Sequence, residues 1–172
     1  MSGGVKPKWI PQVLILVALG ALGGLSLLLH ATSDAQVTYP QGYRNWTHVK
    51  TALIGPQSPF SAAVGGFHHI YANETAMAGY RTGRFPNGSV LVFDVLEARE
   101  SQGTTGEGPR RHIDVMEKDS KRFSATGGWG YEEFKGDSQT ERVLTPKTAQ
   151  DCHTCHATGA KGHDSVFSRF RE

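Results

Sequence analysis

The chain has 172 residues, room for one globular domain and an appendage. Its 38% hydrophobic and 20% charged content excludes a polytopic membrane protein, and 18 basic against 16 acidic residues leave no basic excess with which to hold phosphate, so nucleic acid is excluded as a partner. The two cysteines, Cys152 and Cys155, are too few for a disulfide framework and read as a redox pair, half a metal site or a cofactor attachment.

The N-terminus carries Lys6 and Lys8 and then an uncharged run over residues 10–29. At 1.5 Å per residue such a helix spans roughly 30 Å, about the hydrocarbon thickness of a bilayer. Signal-peptide cores are usually only about 7–15 residues long, so the length favours a retained membrane anchor over residues 10–29. The small residues of Ala31-Thr32-Ser33-Asp34-Ala35 nevertheless offer a cleavage site. Either way the lysines stay in the cytoplasm and the rest is exported. The expected division is an anchor or signal segment over 1–35 and an exported domain over 36–172.

Within that domain, residues 67–72 read as a short strand. Asn73 is a candidate N-cap for a helix over 74–80. The Pro86-Asn87-Gly88 turn introduces a strand over 89–96, rich in β-branched and aromatic residues, with Ser89, Leu91, Phe93 and Val95 on one face. Residues 101–109 read as a glycine-rich loop and 111–117 as another strand. Residues 118–123 read as a solvated strand end and turn, and 129–134 as a further strand. Trp129, between glycines, would line a cofactor pocket or a dimer interface. The expected fold is mainly β (α+β): an antiparallel sheet with a few helices, the C-terminal one carrying the cofactor motif.

That motif is Cys152-His153-Thr154-Cys155-His156, the C-x-x-C-H pattern of covalent haem attachment. Two thioethers to the porphyrin vinyl groups need two thiols one turn apart, and the next residue then turns an imidazole towards the iron. A helical turn over 152–157 meets both demands. A thioredoxin-like dithiol would follow a βαβ pattern early in its domain, and a zinc site would want a second paired set of ligands; neither is present. Attachment of this kind takes place outside the cytoplasm, in agreement with the N-terminal segment. The expected cofactor is one haem c, with its iron, per chain, bonded through Cys152 and Cys155 and held by His156. The expected location is the periplasmic side of a bacterial inner membrane, anchored, or the periplasm if the segment is removed. His153 is expected to point away from the iron, and His163 and Asp164 to lie at the surface.

The series Tyr43-Arg44-Asn45-Trp46, Ile70-Tyr71-Ala72-Asn73, Thr82-Gly83-Arg84-Phe85-Pro86-Asn87-Gly88-Ser89-Val90, Lys118-Asp119-Ser120-Lys121-Arg122-Phe123, the haem motif and Val166-Phe167-Ser168 together resemble the cytochrome P-460 and cytochrome c′-beta family over residues 43–171. The resemblance implies an antiparallel sheet, a homodimer and a five-coordinate haem with an open distal side. It also implies one of two chemistries. P-460 enzymes oxidise hydroxylamine on a haem cross-linked to a lysine. The c′-beta members lack the link and bind nitric oxide under a phenylalanine-rich cap. The position matching the lysine is Phe93, and residues 89–96 contain no lysine, which points to the c′-beta side. The resemblance further places a proton-accepting carboxylate near Asp114.

Phe93 over the iron would exclude water and disfavour ligands that build up negative charge, such as oxygen, relative to nitric oxide. Phe67 and Leu91 are the other expected distal residues. Three functions follow: a gas-binding haem protein, an oxidoreductase passing electrons from hydroxylamine or nitric oxide to a redox partner cytochrome, or a membrane-tethered electron carrier. The last would need a sixth ligand from among Met77, Met116, His68, His69, His112 and His163.

Overall fold

The computed structural model describes Met1 and residues 35–171. The expected anchor or signal over 1–35 lies, apart from Met1 and Ala35, outside the described residues. Among those that are described, no helix is long and apolar enough to cross a membrane.

Five strands form one antiparallel sheet in sequence order: β1 (Thr47–Ile54), β2 (Gly66–Ala72), β3 (Val90–Ser101), β4 (Thr104–Lys118) and β5 (Trp129–Lys135). Among the described residues three α-helices accompany it: α1 (Ser61–Val64), α2 (Glu74–Thr82) and α3 (Pro146–Gly159). Antiparallel neighbours need only short connections, so a chain-order meander is the simplest topology for these segments. The mainly β architecture expected from the sequence is present.

Helix α2 starts where expected. The Asn73 side chain accepts a hydrogen bond from the Ala76 amide at 2.9 Å and also from the Val90 amide at 3.0 Å, tying the cap to the start of β3. Gly83, at φ +77°, ends the helix in the left-handed conformation that glycine adopts most readily. Helix α3 opens on a capping box between Thr145 and Thr148, with Pro146 in its first turn, where a missing amide costs nothing.

Two expectations about the strands need correction. Residues 101–109 are not a loop. β3 and β4 continue to a two-residue turn, Gln102-Gly103, at φ +51° and +77°, with Ser101 paired to Thr104. Positive φ at both central residues matches the twist of a tight hairpin, and the glycines beyond the turn sit inside β4. The first strand, β1, was not expected. Only Val49 along it is buried, so it lacks the apolar alternation by which a strand is recognised.

Cross-strand pairs lie on the same face, so the register sorts the side chains. One face carries Tyr71, Val92, Asp94, Ile113, Val115 and Phe134 and is covered by Val37, Tyr39 and Tyr43 from the segment before β1. The other carries Leu91 and Tyr131, packed with Met77, Phe85, Trp129 and Val166, and towards its far end the row Ile70, Phe93, Asp114, Glu133.

Asp94, fully buried at the centre of the first face, is held by the Arg110 guanidinium (Nε at 2.6 Å, Nη2 at 3.2 Å) and by the Tyr43 hydroxyl at 2.8 Å. Removing one partner of a buried ion pair costs far more than replacing both. We predict that Asp94→Ala costs about 3–5 kcal/mol, seen as a lower urea midpoint at unchanged slope. Asp94→Leu combined with Arg110→Met should recover most of it. A single-variant cost within about 1 kcal/mol, typical of exposed pairs, would show that the pair does not organise the sheet.

Candidate functional site

Cys152, at the middle of α3, is followed by Cys155 and His156 in its second half. Spacings of three and four residues put all three on one side of the helix. The helix packs against β5, and the His156 ring meets Tyr131 edge-on, with ring centres 5.4 Å apart. Phe167 meets the same imidazole edge-on at 4.8 Å. The motif therefore faces the sheet surface that bears Phe93, Asp114 and Glu133.

Both cysteines are free thiols. Cys155 is exposed and Cys152 half-buried. Burial, reinforced by the charges of Asp114 and Glu133, pushes the Cys152 thiol up to about 11. This thiol is protonated at neutral pH, which weakens the reading as a reactive dithiol.

His156 Nδ1 lies 2.9 Å from the Ser165 carbonyl, so Nδ1 carries the proton and donates it. That bond fixes the ring and leaves the Nε2 lone pair for a metal, the arrangement in which metal-ligating histidines are held. Burial lowers the His156 pKa below the ordinary imidazole value and favours the neutral, ligating form. Nearby, the Tyr131 hydroxyl is buried with no hydrogen-bond partner among the described residues, and burial together with the Cys152 charge raises its pKa. Two free thiols one turn apart, an oriented imidazole beside them and an unpaired buried hydroxyl on the facing strand are a donor set that fits a covalently attached haem. Phe93, Asp114 and Tyr131 would form the facing wall.

The Ser165 carbonyl is placed by a short loop that the sequence reading missed. Asp164 and Ser165 both have positive φ, +48° and +64°, which non-glycine residues adopt only when held there. The Asp164 carboxylate accepts from the Phe85 amide at 2.9 Å and from Lys118 Nζ at 2.8 Å, and its carbonyl accepts from Trp129 Nε1 at 2.8 Å. His163 is buried against Phe85 and Tyr80. The expectation of a surface role for His163 and Asp164 is thus corrected, and so is that of a solvated Lys118. Short polar residues near a chain end look exposed from composition alone. Trp129, 1% exposed, is packed in the core cluster that includes Phe85 and Tyr131, with Cys152 against it.

Of the expected distal residues, Phe93 lies half-buried on the motif-facing surface, its ring 4.4 Å from that of His68. Leu91 is on the same face but sealed into the core with Trp129 and Val166. Phe67 is not brought to Phe93; it stacks on His69 on the other face, centres 6.0 Å apart. Asp114 is the cross-strand partner of both Phe93 and Glu133. The sequence reading missed Glu133, which the hairpin register would have identified as Asp114's neighbour. Burial, then the Asp114 charge, raises the Glu133 pKa.

Among the expected sixth ligands, Met77 is core, His69 pairs with Glu107 on the opposite face, and His68 Nε2 is engaged by the Val64 carbonyl. Met116 pairs with Leu91 and Tyr131, and His112 lies beside Asp114. A surface recess of about 540 Å³ lies beside α2 among Trp46, Glu74, Arg81 and Phe170, and neither thiol nor imidazole lines it.

Asp164 supplies the testable link between the loop and the motif. We predict that Asp164→Ala, which removes both carboxylate contacts and disfavours positive φ, lowers stability by about 1–3 kcal/mol in thermal or urea unfolding. Asp164→Asn tolerates the left-handed conformation and can still accept from Phe85, so it should lose less. Equal losses in the two variants would place the loop's stability elsewhere.

No curated protein matches the chain. A family model described as Cytochrome P460 matches residues 40–168, most of the chain and including the motif and its facing sheet. The chain belongs to the cytochrome P460 family and is a haem-binding cytochrome.

Proposed function

We propose that this protein is an exported mono-haem c-type cytochrome that binds nitric oxide or a similar small gas ligand beneath an apolar distal residue. Cys152 and Cys155 are the covalent anchors and His156 is the axial ligand. The observation that carries the reading is Phe93. It occupies the middle of the sheet face opposite the haem motif, where the cross-linking enzymes of this family place a lysine. β3 contains no lysine at all. A phenyl ring offers no hydrogen bond to a ligand that accumulates charge, and so favours nitric oxide and carbon monoxide over oxygen. The haem supplies the iron at which the ligand binds. The chain supplies an oriented proximal imidazole, through His156 and Ser165, and a facing wall that restricts access.

A second reading rests on a different observation. Asp114 and Glu133 sit side by side next to Phe93 and could accept protons from a substrate, as oxidation of hydroxylamine or nitric oxide requires. In that case a redox partner cytochrome would take the electrons. The exported location, with residues 10–29 as anchor or as a removed signal, and the homodimer belong to the same proposal.

The deciding measurement is the optical spectrum of the ferrous protein before and after nitric oxide or carbon monoxide. A high-spin spectrum that shifts on adding gas is expected. A low-spin spectrum indifferent to both gases would mean a sixth protein ligand and an electron carrier instead. Cys152→Ala with Cys155→Ala should abolish haem staining in a denaturing gel; haem still bonded in that double variant would overturn the attachment. Phe93→Ala should accelerate gas binding in flash photolysis, and unchanged on-rates would remove Phe93 from the ligand path.

A further inference from the structure

On the motif-facing surface, three ligating side chains converge. His112 and Asp114 are two residues apart on β4, hence on the same face, and Glu133 is the cross-strand partner of Asp114. One donor atom from each lies within 4.8 Å of the others. The His112 side chain is 9% exposed, and its Nε2, 3.5 Å from Asp114 Oδ2, is buried with no hydrogen-bond partner among the described residues. A buried imidazole nitrogen without a partner is costly unless something binds it.

The cations nearest in the sheet are committed elsewhere. The Arg111 guanidinium donates to the Gly65 and Ala62 carbonyls at 2.7 and 2.9 Å. Lys135, the cross-strand partner of His112, binds Glu141 at 2.7 Å. Two carboxylates and an aimed imidazole therefore share one spot with no arginine or lysine bridging them.

We propose that His112, Asp114 and Glu133 form a non-haem site for a divalent first-row transition ion of the zinc or ferrous class. One nitrogen and two carboxylate oxygens suit such ions, whereas magnesium and calcium take all-oxygen sets. Bonds of about 2.0–2.2 Å allow donors up to roughly 4 Å apart, so a small rotation of the partly exposed carboxylates closes the set. Three protein ligands leave positions open for water or a small ligand, as in reactive rather than structural sites. The site is one residue pair from Phe93, and a divalent ion there would offset the two carboxylate charges of the wall. It rests on the sheet residues and not on the haem.

The test uses haem-loaded protein, in which the thiols and His156 are occupied, after dialysis against a chelator and then chelator-free buffer. Titration with zinc in a calorimeter should show one saturable equivalent, not reproduced by magnesium. His112→Gln, Asp114→Asn and Glu133→Gln should each weaken it by at least about tenfold, a loss that even outer partners of metal ligands produce. Thermal unfolding should show that each variant is folded, and His48→Gln with His69→Gln, on β1 and β2, should keep the equivalent. Absence of a saturable equivalent, or affinity unchanged in all three variants, would overturn the site. The Cys152→Ala, Cys155→Ala protein separates the two proposals. Loss of haem with zinc binding retained is expected, and haem retention there would refute the attachment without touching the metal site.

Discussion

The buried carboxylate of Asp94 determines which way the sheet faces. A charge at the centre of a sheet is tolerated only where a counter-ion reaches it, and here Arg110 and Tyr43 both come from the same side. Because strand side chains alternate, fixing Asp94 inward on that side forces Phe93 and Val95 to the other. The cross-strand pairs then carry the choice outward, with Asp114 following Phe93 and Glu133 following Asp114. A slip of one residue would bring Asp94 to the haem side and bury Phe93 under the N-terminal segment. The ion pair thus selects the residues that confront the motif, although none of its members touches that surface.

The motif itself is fixed by a different device. Helix α3 has no fully buried residue; Ala149 and Cys152 pack, partly buried, against the core. The loop that follows it adds a second set of ties to the sheet. Asp164 gathers bonds from the turn after α2, from the end of β4 and from Trp129 at the start of β5, and the next carbonyl holds His156. The His156 imidazole is in this way referenced to three parts of the core as well as to its own helix. This also accounts for two consecutive non-glycine residues with positive φ, since bonds from several elements can offset that backbone cost.

The sequence made legible whatever depends on local pattern. The Cys152–His156 spacing, the Asn73 cap, the turn before β3 and the alternation around Phe93 are short-range signals, and each element they predict is present. What was missed depends on pairing or on distant partners. β1 is a mostly exposed strand, recognisable only by its partner β2. The outer β3–β4 hairpin reads as a loop because its glycines outweigh a turn whose strength lies in two positive φ values. Asp164 looked like surface because no short window shows that Lys118, Phe85 and Trp129 converge on it. Phe67 was assigned to the cap from proximity in sequence, whereas strand parity puts it with His69 on the opposite face.

The wall facing the motif combines two kinds of chemistry that pull in opposite directions. The Phe93 ring offers nothing to a charged ligand, while one pair away Asp114, Glu133 and His112 form a polar cluster on the same face. Two carboxylates with nothing bridging them would repel an anionic ligand and stabilise a cation or a proton. Whatever occupies the patch therefore sets the sign of the field beside Phe93. A bound proton or divalent ion cancels part or all of the two carboxylate charges, and the wall then better tolerates negative charge on a ligand. Left empty, it would reinforce the preference for neutral diatomics that the proposed function assigns to the phenyl ring. Under the proposed function, ligand selectivity is a joint property of the phenyl ring and the occupancy of its polar neighbours, and the two are coupled because β3, β4 and β5 hold them in one row.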